Sequence, residues 1–293
     1  MKAEICAALG HKAKDSGKVV FVAASLLFVP GSRPDRFAKA KAAGADLTVI
    51  DLEDAVAAED KPAAREQALA QIADDTSGWA IRINGVGTAE GIRDLAALTD
   101  THTLPATLLV PMVESASEIG IISSAIGPRC PALIPLIETP RGLRHALDIA
   151  CHPGVDAVMF GGGDFSGELG VELAWEPLLT ARQQIILACA EAGIPAIDVP
   201  YIQLEDEAGL ADECGRAKAI GFAAKAAIHP RQMSAISAAF AASETEINEA
   251  REAIAAFDAA GGKAIRFKGR MLEAPFVKKY RAIIARHEEK AHA

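Results

Sequence analysis

The chain has 293 residues, of which 51% are hydrophobic and 24% are charged, and its formal net charge is −9. An acidic balance argues against nucleic acid as a main partner, because phosphate binding needs a basic face. No apolar run reaches the roughly 18 residues that a membrane span requires, so no membrane partner is expected. The five cysteines are scattered without a C-x-x-C pair, which is typical of reduced thiols in a cytoplasmic protein.

Eight short aliphatic runs follow one another along the chain, as expected for strands buried on both faces of a parallel sheet. The predicted strands are 25–30, 46–53, 79–84, 107–114, 132–138, 156–162, 195–199 and 221–229. Amphipathic stretches fill most of the gaps and predict helices at 33–44, 61–73, 88–98, 115–126, 142–150, 177–192 and 205–220. Strand and helix alternate eight times, which predicts an α/β fold of the (β/α)8 TIM-barrel type.

The domain organisation follows from where this alternation begins and ends. Residues 1–20 are expected to be an N-terminal extension, residues 21–242 the TIM barrel, and residues 243–293 a C-terminal helical appendage. A doubly wound sheet is the less favoured alternative, because the first strand leads into PGSRP (30–34) and not into a G-x-G-x-x-G turn. The appendage is expected to pack on the barrel or on a neighbouring subunit.

Two carboxylates stand at the carboxyl ends of adjacent predicted strands, where a barrel of this type carries its chemistry. Glu138 ends the run LIPLIE, and Asp164 follows three glycines. Two carboxylates without a His/Cys cluster suit Mg2+, a hard cation that keeps several waters, better than they suit zinc. The alternative is that both are ordinary strand-end residues, with Asp164 capping the next helix.

Arg82 lies between two isoleucines in WAIRIN, and a buried arginine needs an anionic partner. One interpretation is structural pairing with Glu53 or Asp54. The other, which we prefer beside a metal, is bidentate capture of a substrate carboxylate. Asp51, Glu53 and Asp54 are either direct metal ligands or groups that hold Arg82 and metal-bound water.

Three further positions stay open between a functional and a structural interpretation. Gly163, in the stretch GGGD, either lets a ligand approach the backbone or forms a tight turn. His229 is a general base or a structural strand-end histidine. Lys225, on the eighth strand, is a weaker candidate for a Schiff base.

At these positions the sequence resembles the citrate lyase β-subunit-like branch of the HpcH/HpaI aldolase superfamily, the CoA-ester lyases. The resemblance runs in order over most of the chain, from about residue 25 to residue 280. Its stretches are LLFVPGSRPDRFAKA (26–40), VIDLEDAV (49–56), DKPAAR (60–65), RIN (82–84), VPMVES (110–115), LIETPRGL (136–143), FGGGDFSGELG (160–170), IDVPY (197–201) and GFAAKAAIHPRQM (221–233).

The resemblance implies a (β/α)8 barrel that assembles as a homo-oligomer, a homotrimer or a hexamer. It implies that Glu138 and Asp164 bind Mg2+ and that Arg82 holds the carboxylate of a 2-keto acid. With Arg82, the nearby Glu53 and Asp54 make up the expected catalytic group.

The expected substrate-binding residues beside Arg82 are Pro30 and Arg33 of the PGSRP loop, Lys61 near the entrance for CoA, and Gly163. The implied activity is cleavage or formation of a carbon–carbon bond in a short 3-hydroxyacyl-CoA, such as citramalyl-, malyl- or citryl-CoA. The partners are then the acyl-CoA thioester and a 2-keto acid: pyruvate, glyoxylate or oxaloacetate. A metal at the hydroxyl would lower its pKa and so favour the cleavage.

The sequence departs from the family pattern at three positions. Ala24 stands where the family often has an arginine, and Met112 where it often has a lysine. Lys268, in FKGRM, replaces an aspartate of the D-G-[KR]-M pattern that is thought to act on the acetyl fragment across a subunit boundary. Two alternatives therefore stay open: a metal-dependent class II aldolase acting on free 2-keto acids, and a thioesterase on the same scaffold.

Overall fold

The computed structural model describes residue 21 and residues 23–292, so the extension expected at 1–20 lies outside the described residues. Eight parallel strands close into a barrel in chain order. They are β1 Ser25–Pro30, β2 Leu47–Asp51, β3 Trp79–Arg82, β4 Thr107–Val110, β5 Ala132–Ile137, β6 Val158–Phe160, β7 Ala196–Asp198 and β8 Ala224–Ala227. The predicted TIM barrel is confirmed.

Helices connect and follow these strands in the order that the barrel topology requires. They are α1 Phe37–Ala42, α2 Lys61–Asp74, α3 Ala89–Asp100, α4 Ala116–Ile126, α5 Pro140–Arg144, α6 Ala146–Ala150, α7 Gly162–Leu169, α8 Trp175–Ala192, α9 Glu207–Ile220 and α10 Met233–Phe240. Short 3-10 turns lie at Pro34–Arg36, Ala58–Asp60, Gly127–Arg129 and Pro230–Gln232.

Successive strand residues point alternately into two apolar layers. Inside the barrel lie Leu26, Val49, Ala80, Leu109, Ile134, Leu136, Met159, Ile197, Ala224 and Ala226. Between the barrel and the helices lies a larger layer that includes Leu27, Ile50, Ile81, Leu108 and Leu133. Because the strands run in one direction, their carboxyl ends share one rim, and the layer inside the barrel forms the floor beneath it.

Helix α7 is absent from the sequence prediction, which treated its glycines as a turn. Glycine disfavours a helix by about 1 kcal/mol per residue relative to alanine. Tertiary packing offsets this cost, since Phe165 is buried and meets the ring of Phe160 edge-on at 5.5 Å between centroids. The single helix predicted at 142–150 is instead two short helices that meet at His145.

The chain from Ala241 onward forms a second compact unit. It contains α11 Glu244–Ala259, the antiparallel hairpin of β9 Ile265–Phe267 and β10 Arg270–Leu272, and α12 Ala274–His292. Its own small core consists of Ala253, Phe257, Leu272 and Val277. Lys268 occupies the hairpin turn with a φ of 46°, and its ammonium lies 2.7 Å from Glu252 Oε2.

Cys189 and Cys214 carry free thiols, but Cys151 is disulfide-bonded, so the expectation of reduced cysteines is wrong for Cys151. Within the described part of the chain, no helix combines the length and the apolar character that crossing a bilayer would take.

Candidate active site

A cavity of about 430 Å³ opens at the rim where the strands end, a size that suits a small organic ligand. One part of its wall is polar and carries four carboxylates and one guanidinium. The cavity is lined by Phe28, Pro30, Asp51, Asp54, Ala55, Arg82, Leu136, Glu138, Met159, Gly161, Gly163, Asp164, Leu173, Val199, Pro200, Ile202 and Ile228.

Arg82 at the end of β3 is held by Asp51, its register partner at the end of β2. Nε donates to Asp51 Oδ1 at 2.7 Å and Nη2 donates to Oδ2 at 2.6 Å, and Phe28 stacks against the guanidinium at 5.1 Å. Asp51 therefore occupies the side-on pair of donors, and bidentate capture of a substrate carboxylate by that face is not supported by this geometry. A ligand can meet only the Nη hydrogens that point elsewhere.

Glu53 and Asp54 take the far side of the same guanidinium. Glu53 Oε2 lies 2.6 Å and Asp54 Oδ2 3.3 Å from Arg82 Nη1. Burial raises the pKa of Glu53 to about 9, although the charge of Arg82 lowers it in part. Glu53 is not on the cavity wall and lies behind Arg82, whereas Asp54 is on the wall; direct contact of Glu53 with substrate is not supported.

Glu138 follows the last residue of β5 and is only 2% exposed. Its Oε2 accepts a hydrogen bond of 2.6 Å from the backbone N–H of Met112. Met112 adopts a φ of 54°, a left-handed conformation that is uncommon for residues other than glycine and clusters at functional sites. Burial raises the pKa of Glu138 to about 7, while the Met112 amide and then Arg82 act in the opposite direction.

Gly161, at the end of β6, makes room for Glu138. A Cβ at position 161 would lie 2.1 Å from Glu138 Cγ and 2.4 Å from its Oε1, closer than atoms can approach. Glycine is therefore required here by contact with the carboxylate.

Asp164 lies in the first turn of α7 with its side chain exposed at the cavity. The N-cap of this helix is Gly161, which makes no side-chain cap hydrogen bond, so the interpretation of Asp164 as a helix cap is wrong. Its pKa is raised, first by partial burial and then by the negative charge of Asp54. A cation between the carboxylates would relieve this repulsion.

The donor set fits Mg2+. The described residues contain no group of three or more His, Cys, Asp or Glu side chains that would hold a metal alone. Mg2+ needs fewer protein ligands, because it binds through one or two carboxylates and completes its shell with water and substrate oxygens. Glu138 and Asp164 would hold it, both with pKa values raised in the absence of a cation.

Two of the four expected substrate-binding residues besides Arg82 line the cavity, namely Pro30 and Gly163. The other two do not. Arg33 is exposed and donates to both carboxylate oxygens of Asp35, at 2.8 and 2.7 Å. Its expected contact with substrate is not supported by these contacts.

Lys61 is likewise turned away from the cavity. Its ammonium donates to the backbone carbonyls of Leu52 and Glu53, both at 2.9 Å, and to Asn84 Oδ1 at 2.6 Å. All three of its hydrogens are thereby used. Lys61 ties the start of α2 to the loop after β2, the loop that presents Asp54.

Asn84 is fixed in turn by a second layer of ion pairs. Asp94 accepts from the backbone N–H and the side-chain amide of Asn84, at 2.8 and 2.7 Å, and from Arg65 Nε at 2.6 Å. Arg65 also donates to Glu90 at 2.7 Å. The stretch DKPAAR thus supports the β2 loop from behind.

We expect Lys61→Met to lower kcat about 10-fold or more without weakening CoA binding more than about twofold. Loss of the ammonium leaves the two carbonyls and Asn84 unsatisfied, a cost of about 1–3 kcal/mol each where they are buried, and it frees the Asp54 loop. Steady-state kinetics and CoA titration by calorimetry separate the two effects. The exposed Lys263→Met serves as a control; a large rise in the Kd of CoA with unchanged kcat would restore direct binding by Lys61.

We expect Gly161→Ala to lower Mg2+ affinity about 10- to 100-fold, the range seen when groups that orient metal ligands are lost. The added methyl group must displace the Glu138 side chain. Mg2+ titration by calorimetry measures the effect. Gly167→Ala on α7 is the matched control, because a Cβ there meets nothing within 4 Å. Equal Mg2+ affinity in both variants would contradict the placement of Glu138.

The two remaining open positions resolve as structural residues. His229 caps the turn Pro230–Gln232, its Nδ1 accepting from the N–H of Arg231 at 3.2 Å. Lys225 is fully buried and its ammonium lies 2.6 Å from Asp198 and 2.7 Å from Glu213. Burial would lower the pKa of Lys225, but these carboxylates raise it above its ordinary value. Lys225 stays protonated, so the Schiff-base interpretation is wrong.

The apolar half of the cavity was missed in the sequence. Leu136 and Met159 precede Glu138 and Gly161 by two residues, and a period of two places such pairs on the same face of a strand. This two-residue spacing is visible in the sequence and could have placed Leu136 and Met159 in the cavity. Val199, Ile202 and Ile228 follow β7 and β8 and carry no chemical mark that distinguishes them from other aliphatic residues.

A parallel (β/α)8 barrel with paired carboxylates and a clamped arginine at its carboxyl rim defines the class of metal-assisted barrel enzymes. The family model for HpcH/HpaI aldolase/citrate lyase matches residues 24–230, and a model for C–C bond lyases of the TIM-barrel fold matches residues 175–288. The chain belongs to the HpcH/HpaI aldolase/citrate lyase family.

Relatives with assigned names agree with this membership. The mitochondrial citramalyl-CoA lyase of Homo sapiens is 33% identical over 87% of this chain and 82% of its own length. The (3S)-malyl-CoA thioesterase of Cereibacter sphaeroides is 33% identical over 80% of this chain and 83% of its own. The crystal structure of protein CitE from Mycobacterium tuberculosis with magnesium, acetoacetate and coenzyme A superposes with a TM-score of 0.76 at 33% identity, covering 90% of this chain and 98% of that one.

Proposed function

We propose that this protein is a Mg2+-dependent lyase that cleaves or forms the carbon–carbon bond of a short 3-hydroxyacyl-CoA, yielding acetyl-CoA and a 2-keto acid. The observation that carries the proposal is one cavity in which Glu138, Asp164 and Arg82 meet, in a chain of a family whose named relatives include such lyases. Citramalyl-, malyl- and citryl-CoA are the candidate substrates.

Each residue of the site has a separate role in the proposed reaction. Glu138 and Asp164 would hold the metal, which would supply Lewis-acid polarisation of the substrate oxygens. Arg82, oriented by Asp51 and Glu53, directs its second Nη2 hydrogen at the substrate carboxylate. Pro30 and Gly163 shape the wall.

Asp54 is the group best placed to move the proton. Asp51 is engaged by Arg82 and by two backbone amides, and the other two wall carboxylates are assigned to the metal. Asp54 Oδ takes the proton of the 3-hydroxyl as its C–O bond becomes the keto group and the adjacent C–C bond breaks. The electron pair of that bond stays on the α-carbon of the thioester, which takes up a proton from solvent to give acetyl-CoA.

A second cavity of about 450 Å³ adjoins the first and suits the CoA arm. The two share Phe28, Pro30 and Ile228 as wall residues, and the second is also lined by Arg36 and Lys39. These exposed cations match the negative charge of a nucleotide phosphate chain.

A thioesterase is the second candidate, and Lys268 is the observation that favours it. The family aspartate that acts on the acetyl fragment is replaced by a lysine whose ammonium is paired with Glu252, and a relative of 33% identity is named a malyl-CoA thioesterase. In that case water attacks the thioester and the C–C bond stays intact. A CoA-free class II aldolase is a further alternative on the same scaffold.

The deciding experiment is a Mg2+-dependent product assay on malyl-, citramalyl- and citryl-CoA, with EDTA as control. Keto acid and free thiol are followed separately. Keto acid without free thiol is the expected result and means C–C cleavage. Free thiol without keto acid would mean a thioesterase, and neither product would direct the search to CoA-free aldol substrates.

We also propose a cytoplasmic homo-oligomer, a trimer or a hexamer, with a barrel domain at 21–242 and an appendage at 243–293. Family membership supports the oligomer, and the compact unit that begins at Ala241 supports the appendage. Size-exclusion chromatography with light scattering measures the assembly directly.

A further inference from the structure

The apolar half of the cavity bears on which substrate the proposed lyase accepts. Leu136 and Met159 form the floor, since they lie two residues before Glu138 and Gly161 on the inner faces of β5 and β6. Val199, Leu173, Ile202 and Ile228 complete this half of the wall. Ile202 and Ile228 are 49% and 44% exposed, as expected for residues at a mouth that a ligand covers.

The charges of the cavity wall are unbalanced. Among the described residues that line it, Arg82 is the only cation, against the carboxylates of Asp51, Asp54, Glu138 and Asp164. One Mg2+ and Arg82 supply three positive charges for these four negative ones. A first substrate carboxylate can use the metal and Arg82, but a second one finds no remaining cation and meets apolar side chains.

The chemistry of the substrate carbon leaves one group for the apolar wall. The 3-carbon carries a hydroxyl, a carboxylate, the arm to the thioester and a fourth substituent. The hydroxyl and the carboxylate go to the metal and Arg82, and the thioester arm must leave through the mouth, because CoA does not fit within about 430 Å³. The fourth substituent is left with the floor and the β7–β8 side of the wall.

We infer that the fourth substituent is a short alkyl group, so that the substrate class is a 3-hydroxyacyl-CoA with one carboxylate and a methyl group on its 3-carbon, and the keto acid is an alkyl 2-keto acid such as pyruvate. This inference rests on the proposed lyase function. Leu136, Met159 and Val199 are its specificity residues. A methyl group on an apolar wall gains about 10-fold or more over hydrogen, and a carboxymethyl group loses its hydration without a partner.

The test compares kcat/KM for citramalyl-, malyl- and citryl-CoA, which carry methyl, hydrogen and carboxymethyl at this position. We expect citramalyl-CoA to exceed malyl-CoA about 10-fold and citryl-CoA at least about 100-fold. Citryl-CoA cleaved as well as citramalyl-CoA would overturn the inference and leave the lyase function standing. Absence of keto acid from all three esters would instead overturn the lyase function.

A binding measurement decides the inference without turnover. Protection against thermal unfolding is measured with Mg2+ plus pyruvate, glyoxylate or freshly dissolved oxaloacetate. The expected order is pyruvate, then glyoxylate, then oxaloacetate, and protection by oxaloacetate equal to or above that by pyruvate would contradict it. In the exposed-site variant Ile202→Lys, the added cation should raise the citryl- to citramalyl-CoA ratio about 10-fold or more.

Discussion

Replacing Glu138 by glutamine is expected to lower Mg2+-dependent cleavage at least about 1000-fold, which corresponds to about 4 kcal/mol of transition-state stabilisation. Glutamine keeps the size of the side chain and an oxygen that can accept the hydrogen bond from Met112 N–H. In the wild type this bond joins Met112 N–H to Glu138 Oε2 at 2.6 Å. Glutamine removes the anionic ligand that a hard cation needs. Keto acid release and Mg2+ titration by calorimetry measure activity and metal binding separately.

The fold is expected to survive this change. Burial raises the pKa of Glu138 to about 7, so its charge is unfavourable in the metal-free protein, and a neutral amide should leave the unfolding temperature equal or higher. Full activity, or unchanged Mg2+ affinity, would sink the assignment of Glu138 as a metal ligand. A large fall in unfolding temperature would show that the loss of activity arises from misfolding.

Asp164→Asn should reproduce the loss, because the metal then keeps a single protein carboxylate. Helix α7 offers a matched control in Glu168, which is exposed, follows Asp164 by one turn and does not line the cavity. Glu168→Gln removes the same formal charge from the same helix. Equal loss in both variants would point to a general electrostatic effect and not to metal binding.

Asp198→Asn is expected to destabilise the fold by about 3–5 kcal/mol, the range for breaking a buried ion pair. Asp198 is fully buried at the end of β7 and accepts from Arg182 Nε at 2.9 Å and from Lys225 Nζ at 2.6 Å. Both cations are buried too, and the guanidinium of Arg182 lies 5.4 Å from the ring of Phe160 and 4.6 Å from that of Trp175. Asparagine carries no charge, so Arg182 and Lys225 lose the anion between them and keep Glu213 as an anionic partner. Urea unfolding measures the free energy.

The pH dependence identifies the charge of Asp198 as the cause. Burial by itself raises the pKa of Asp198, but Lys225 and then Arg182 outweigh it and lower that pKa below its ordinary value of 3.8. A lowered folded pKa contributes stability that is present above the unfolded value and is lost as pH falls through the folded value. Wild type should therefore lose stability below about pH 4, and Asp198→Asn should lose less over the same range.

The control is an ion pair on the protein surface. Glu176 pairs with Arg216 at 2.8 Å, but its side chain is 75% exposed, and solvent screens such pairs. Glu176→Gln should leave the unfolding midpoint nearly unchanged. If Glu176→Gln lowered the free energy of unfolding as much as Asp198→Asn does, burial would not determine how much these ion pairs contribute to stability.

The sequence by itself determined the barrel and the neighbourhood of its site. The aliphatic runs are local, so the eight strands could be placed from contiguous residues, and the strand at 25–30 was placed without error at either end. Parallel strands deliver all their carboxyl ends to one rim. For that reason Arg82, Glu138 and Asp164 could be assigned to one cavity before any distance was known.

Only the tertiary structure decided which partner each charged group takes. Sequence reasoning left Arg82 between pairing with Glu53 or Asp54 and capture of a substrate carboxylate, yet the β2–β3 register also sets Asp51 directly beside it. It placed Lys61 near the entrance for CoA, yet the ammonium of Lys61 donates hydrogen bonds to three oxygens of the protein at 2.6–2.9 Å. It left Lys225 as a candidate nucleophile. The ammonium instead pairs with Asp198 and Glu213, which lie 27 and 12 residues away in sequence and keep it protonated. Strand and helix periodicity is written in neighbouring residues, whereas the choice among nearby charges depends on differences of an ångström between residues distant in sequence.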